Sequence, residues 1–304
     1  MIQFLKIHDR TASGNTTELT PEMLARIKLT PCLIGLLYDP DQLIGTIFTF
    51  MFQTSHISTP DTTAWTAYTT LLCVHNSYRD RGLAMILIRA TTIAIYTEYG
   101  SNDGYYLTAE IHHPIHNKIE AWYRPVNVKR ALAAGFELPT FQRPGARGST
   151  LARQELAYRI PKPPHEPLKA GPSDYGRVLK LLRQGSFFLA PTYDQYIDLT
   201  QAFDIYIVGT TKLLILFPMT TLIGETGRRV RNLQVALMIG DALGEALWIA
   251  QIHKYDLVYG WCVGAMTGAR IDAIKGLVAL GSPVLEFYNI REPIPNSELR
   301  IPIF

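Results

Sequence analysis

Residues 161–174 read PKPPHEPLKAGPSD, with five prolines among fourteen positions. Proline fixes φ and lacks an N–H, so such a run cannot continue a helix or a central strand. It reads as a linker, and it falls near the middle of a 304-residue chain. The same order of patterns stands on both sides of it: helix, antiparallel strands, helix, strand, helix, strand.

Before the linker, TPEMLARI predicts a helix with Thr20 as N-cap and Pro21 in the first helical position. CLIGLLYD and LIGTIFTFMFQ predict two strands joined through PDQ, and TTAWTAYTTLLCV a third. Leu83, Ile86, Leu87, Ala90, Ala94 and Ile95 recur at helical spacing and predict one buried helix face. YYLTAEI is the next strand, VKRALAAGF a short helix ending near Gly135, and TLARQELAYRI a further strand. After the linker come two helices (DYGRVLKLLRQG, TYDQYIDLTQAF), the strands DIYIVG and KLLILFP, and a helix from about Asp241 to Ile252. The strand DLVYGWC, a helix over ARIDAIKGLVAL and the strand PVLEFYNI complete the series. The expectation is an α+β chain of two tandem domains, residues 1–160 and 161–304, each a mixed central sheet flanked by helices.

Hydrophobic residues make up 47% and charged residues 18%, enough apolar material for a large core. A net charge of +3 does not supply the concentrated basic face of a nucleic-acid binder, and the densest basic cluster, Arg228, Arg229 and Arg231, reads as a solvated loop. Cys32, Cys73 and Cys262 have the spacing of neither a zinc site nor a disulfide framework. No apolar run is long enough for a transmembrane helix, and MIQFLKIHDR lacks the apolar core of a secretory signal, so a cytoplasmic protein is expected.

The stretch LLCVHNSYRDRGLA runs from Leu71 to Ala84, an apolar strand, a polar turn and a helix start. The first amides of a helix lack intrahelical partners and favour negative charge. Gly82 admits close backbone approach, and Arg79 and Arg81 can add charge-assisted bonds. Arg79, Asp80, Arg81, Gly82, Leu83 and Ala84 therefore form a candidate pyrophosphate cradle; the alternative is a glycine-assisted helix start with two solvated arginines.

This turn resembles the coenzyme A site of GNAT-type acyltransferases, and the wider sequence resembles the glycylpeptide N-myristoyltransferases. The carriers are Leu71-Leu72-Cys73-Val74-His75 before the basic turn, Thr108-Ala109 in YYLTAEI, and Trp122, Arg124, Asn127 and Phe136 in AWYRPVNVKRALAAGF. AYRIPKPP, DALGEALWIAQIHKYDLVYG and LEFYNIREP extend the likeness in the same order. Glu110 and Tyr123 depart from the pattern, as does Leu280, which stands before Gly281 where the family has an aspartate.

The resemblance implies two tandem GNAT-like domains, the first binding acyl-CoA and the second contributing a peptide groove. It implies transfer of a myristoyl group from myristoyl-CoA to the α-amine of an N-terminal glycine, with no permanently bound cofactor and no metal. It assigns the oxyanion to the backbone amides of Leu71 and Leu72, the amine's surroundings to Thr108, and the general base to the α-carboxylate of Phe304, with Ile301, Ile303 and the Phe304 ring as its anchor. The side chains of Leu71 and Leu72 are read as core. His75 is read as structural, and HHPIH, with His112, His113 and His116, as a loop near the peptide groove rather than a metal site. Two other readings stay open: a GNAT acetyltransferase of small amines, and an acyl-CoA or lipidated-peptide binding protein without catalysis.

Overall fold

The computed structural model describes residues 16–17, 20–108, 111–112, 114–136, 138, 158–222, 227–262, 277–281, 283–290 and 294–303. The expected strand TLARQELAYRI and helix ARIDAIKGLVAL lie mostly outside these residues, as do Glu110 and Phe304.

Among the described residues two eight-stranded mixed sheets form the body. In the first half the elements are β1 (Thr16–Thr17), α1 (Pro21–Ile27), β2 (Cys32–Asp39), β3 (Gln42–His56), β4 (Thr59–Val74), α2 (Leu83–Tyr99), β5 (Gly104–Thr108), β6 (His116–Lys118), β7 (Ala121–Pro125) and α3 (Val128–Ala133). In the second they are β8 (Leu168–Lys169), α4 (Tyr175–Leu182), β9 (Phe187–Leu189), α5 (Tyr193–Ala202), β10 (Asp204–Val208), β11 (Lys212–Leu222) and β12 (Arg229–Ile239). α6 (Leu243–Ile252), β13 (Leu257–Trp261), β14 (Val278–Gly281), β15 (Val284–Tyr288) and β16 (Leu299–Arg300) follow. Thr20 caps α1 by accepting from the Met23 amide, and Thr192 caps α5 in a capping box with Gln195.

The duplicated plan is visible in the pairing. An antiparallel hairpin (β3–β4, β11–β12) is followed by a helix (α2, α6) and then by a strand parallel to the hairpin's second arm (β5, β13). Each half then passes a later strand, the one after β6 and the one after β14, to the other half's sheet. β7 pairs with β13, and β15 pairs with β5. The sheets therefore do not divide at residue 160.

One core lies between the sheets. Phe48, Phe50, Tyr68, Tyr105 and Leu285 from the first sheet share it with Leu213, Ile215, Phe217 and Leu237 from the second, and with Leu299, Ile301 and Ile303 near the end of the chain.

Three expectations are corrected. Arg229 and Arg231 belong to β12, a central strand, not a loop; they pair with β11 and stay exposed on either side of buried Val230. Val278, Ala279 and Leu280, expected in a helix, form β14 beside β7. The buried face of α2 is Leu87, Thr91 and Ile95, while Ile86, Ala90 and Ala94 are exposed. Its seat is cut by glycines: a Cβ on Gly35 would meet Ile47 Cγ2 at 2.5 Å and Thr91 Oγ1 at 3.1 Å, and one on Gly45 would meet Leu87 Cδ1 at 2.8 Å.

Candidate active site

β4 and β5 run parallel but pair only over Ala67–Thr69 against Gly104–Tyr106. Beyond that ladder β4 continues to Val74 and β5 to Thr108. The pairing thus stops short of both C-terminal ends, and the C-terminal end of a parallel pair is where α/β sheets receive ligands.

On the other edge of β4 the ladder to β3 slips. Thr46 pairs with Cys73 and Phe48 with Thr70, so Leu71 and Leu72 together stand opposite Ile47. This is a β-bulge. Leu71 takes a φ of 50°, a left-handed conformation that costs an L-residue about 1–2 kcal/mol. The Thr46 hydroxyl donates to the Leu71 carbonyl at 3.5 Å, from a fully buried position. The Leu71 side chain packs partly against the core, whereas that of Leu72 is exposed, contrary to its expected burial.

The polar turn follows. His75 accepts from the Ser77 amide through Nδ1 at 3.2 Å and lies edge-on to Tyr78, a structural role. The Arg79 Nε donates to the Val74 carbonyl at 3.3 Å, and the Arg81 guanidinium lies 5.0 Å from the Tyr78 ring centroid. A hydrogen bond to Asp39 raises the pKa of the Tyr78 hydroxyl. Asp80 and Gly82 take φ values of 61° and 73°, and Gly82 occupies the N-cap of α2. A Cβ at Gly82 would meet nothing within 4 Å, so glycine serves the backbone conformation here rather than close packing. Arg79, Asp80, Arg81 and Gly82 are exposed, and Leu83 and Ala84 are half-buried. The turn thus holds two exposed guanidinium groups beside the start of a seventeen-residue helix, an arrangement able to receive phosphate.

Thr108 ends β5, half-buried and paired with Val284. Two residues before it, the Tyr106 hydroxyl donates to Glu286 Oε2 at 2.5 Å, and the His112 amide donates to Glu286 Oε1. Glu286 is fully buried, and burial together with this carboxylate drives the Tyr106 hydroxyl pKa upward. The carboxylate ties the segment after β5 back to the sheet next to Thr108.

The chain's last described residues enter the space between the sheets. β16 runs parallel to β9, and Ile301 and Ile303 are fully buried. The Tyr105 hydroxyl donates to the Pro302 carbonyl at 3.0 Å, and Gln234 Nε2 donates to the Ile303 carbonyl at 3.2 Å. The Ile303 amide donates to the Ala236 carbonyl at 3.0 Å. The segment is therefore bonded to β5 of one sheet and β12 of the other. Sequence reasoning did not single out Tyr105, Gln234 or Glu286. Their partners lie 197, 69 and 180 residues away, and no local pattern marks such bonds.

Leu280 is exposed on β14. Among the described residues no group of three His, Cys, Asp or Glu side chains could hold a metal ion, and no helix is long and apolar enough to cross a membrane.

No protein-family model matches the chain. Over 128 residues it is 30% identical to glycylpeptide N-tetradecanoyltransferase 1 of Arabidopsis thaliana; the match covers 41% of this chain and 28% of that relative, so the chain aligns with less than a third of the relative's length. Structures of Saccharomyces cerevisiae N-myristoyltransferase superpose with TM-scores of 0.74 and 0.75 at 13% and 14% identity. These cover 98% of this chain and 78% and 80% of the yeast chain, and both yeast structures hold myristoyl-CoA. The chain has the N-myristoyltransferase fold and resembles the glycylpeptide N-tetradecanoyltransferases in sequence.

Proposed function

We propose that this protein transfers a long-chain acyl group, myristoyl, from acyl-CoA to the α-amine of an N-terminal glycine in a peptide or protein, and that it does so in the cytoplasm. The observation that carries the reading is the segment Leu299–Ile303, buried in the core and bonded to both sheets. It gives the likeness to the yeast enzyme, which holds myristoyl-CoA, a chemical use on this chain.

In the proposed reaction a neutral amine attacks the thioester carbonyl. The C–N bond forms, the C–S bond breaks, and coenzyme A leaves as its thiol. The carbonyl oxygen carries negative charge in between, and preorganised donors lower that barrier, each worth about 10²–10³ in rate. The reading gives this task to the backbone amides of Leu71 and Leu72, supported by the bulge that interrupts the ladder there. Arg79, Asp80, Arg81, Gly82, Leu83 and Ala84 receive the pyrophosphate. Thr108, at the C-terminal end of β5, lies beside the amine. A peptide α-amine has a pKa near 8, so a base must take its proton. That base is assigned to the α-carboxylate of Phe304, the residue after Ile303. Residues 1–160 supply the acyl-CoA side and 161–304 the peptide side and the base.

Mass spectrometry of a glycine-initiated peptide incubated with myristoyl-CoA or acetyl-CoA tests the proposal. The expected product is a tetradecanoyl peptide formed from myristoyl-CoA. Acetylation without a gain from longer chains assigns the site to a small-amine acetyltransferase. Tight acyl-CoA binding with no product assigns it to a binding protein.

A further inference from the structure

Helix α2 is apolar on two sides. Its inner stripe of Leu87, Thr91 and Ile95 is buried on the first sheet. Its outer surface carries Met85, Ile86, Ile88, Ile93 and Tyr96, all exposed, with Ile93 at 67% and Tyr96 at 58%. Ala90 and Ala94 lie exposed between them. Even the threonines add little polarity: the hydroxyls of Thr92 and Thr97 donate back to the carbonyls of Ile88 and Ile93 at 2.9 Å. A helix that is apolar all round is normally covered, and a contiguous apolar surface of this kind marks an interaction site.

The charges decide what covers it. Arg89 stands exposed within the apolar surface, and Arg79 and Arg81 are exposed in the turn that precedes the helix. The acidic groups there are Asp39, bonded to Tyr78 beneath Arg81, Asp80 in the turn and Glu98 in the last turn of the helix. At about 100° per residue Glu98 lies half a turn round from Arg89, on the opposite side of the helix. Of the helix's two charged residues only Arg89 lies on the outer face, so a second copy packed helix against helix about a two-fold axis would bring no acid from α2 to meet it. An anionic lipid surface meets both features: the isoleucines and methionine enter the acyl boundary, the Arg89 stem buries while its head reaches phosphate, and Tyr96 sits at the interface. The helix cannot span the bilayer, because its inner stripe is committed to the sheet.

We infer that the outer face of α2 docks on an anionic bilayer and lies in the plane of its headgroups. This goes beyond the acyl-transfer reading and does not depend on it. Where both hold, the turn from Arg79 to Gly82 faces the phase into which long-chain acyl-CoA partitions.

The test is flotation of the full chain with vesicles of phosphatidylcholine, with and without phosphatidylserine. Binding to the serine-containing vesicles is expected, and it weakens as salt rises. Ile93→Glu with Tyr96→Glu should lower the partition coefficient at least tenfold, with unchanged circular dichroism and unchanged acyl-CoA binding in solution. Arg89→Glu should weaken binding to the anionic vesicles alone. Three results would overturn the inference: no binding to either vesicle, binding undiminished in the double variant, or a concentration-dependent dimer that the double variant abolishes. Acyl-CoA binding and peptide acylation are read separately, so none of these results bears on the proposed reaction.

Discussion

The hydroxyl of Tyr105 donates to the carbonyl of Pro302 across 197 residues of sequence, at 3.0 Å and within the core. Tyr105 stacks on Tyr68, with ring centroids 5.0 Å apart, so its hydroxyl is aimed by packing. Gln234 holds the next carbonyl, that of Ile303, from the opposite sheet. Together they hold the backbone as far as Ile303, the residue before the proposed base.

Tyr105→Phe and Gln234→Leu each leave a buried carbonyl without its donor, which costs about 1–3 kcal/mol. Each should lower the thermal midpoint and reduce the rate of amide formation while acyl-CoA affinity stays within a few-fold of the parent. Residues appended after Phe304 should act on the rate more strongly and on stability less. Calorimetry beside a single-turnover assay separates the two effects. A tagged protein with full turnover would rule out the carboxylate as base.

Arg81→Ala should weaken acyl-CoA binding by roughly tenfold or more, since a charge-assisted bond is worth about 1.5–3 kcal/mol. Arg79→Ala adds to this and also loosens the turn, because Arg79 Nε holds the Val74 carbonyl. The gap between parent and double variant should narrow at high salt. Isothermal titration at two ionic strengths checks it, and equal affinity at low salt removes the turn from the site.

Much of this fold is legible in local sequence. Thr20 before Pro21, the alternation around PDQ and the apolar run before His75 each place an element where the structure has it. The linker prolines mark a stretch that is coil apart from the two residues of β8 and a single 3-10 turn at Pro172–Asp174. What is not legible depends on contacts distant in sequence. The passing of β7 and β15 between sheets leaves no trace in either strand's own pattern. The face of α2 could not be chosen from periodicity, because the helix is apolar on both sides and the choice is made by Gly35 and Gly45 on neighbouring strands. The basic start of β12 hid a central strand, since Arg229, Arg231, Asn232 and Gln234 break up its apolar residues before the run from Val235 to Ile239. The bulge at Leu71 was reachable only through a resemblance, because leucine has no local preference for a positive φ.

Alkaline pH should unfold this protein. Burial raises the pKa of the Tyr105, Tyr106 and Tyr259 hydroxyls, pushes those of Tyr196 and Tyr206 up to about 12, and pushes the Cys262 thiol up to about 12. The folded state therefore keeps protons that the unfolded chain releases from roughly pH 9 for cysteine and 10 for tyrosine. Since the folded state binds more protons in that window, stability is full below about pH 9 and falls as pH rises toward 12. Tyrosinate absorbance and far-ultraviolet circular dichroism should change together. Tyrosines that all ionise near pH 10 with the fold intact would show that the burial is not maintained.

The bulge offers the sharpest separation of fold from chemistry. The pairing Thr46–Cys73 and Phe48–Thr70 contains one residue too many on β4. Deleting Leu71 removes it, so β3 and β4 can pair in unbroken register and the strain of a positive φ, about 1–2 kcal/mol, is relieved. The deletion should leave stability near that of the parent, because the relieved strain offsets the lost packing of a half-buried leucine. It should also restore Leu72 to the ladder, where its amide faces β3 rather than a ligand. The rate of acyl transfer should then fall by about 10²–10³, the value of an oxyanion donor. Leu71→Gly is the companion variant: it keeps the extra residue and the left-handed backbone without strain, and it should retain turnover. Equal rates in the two variants would separate the bulge from the reaction.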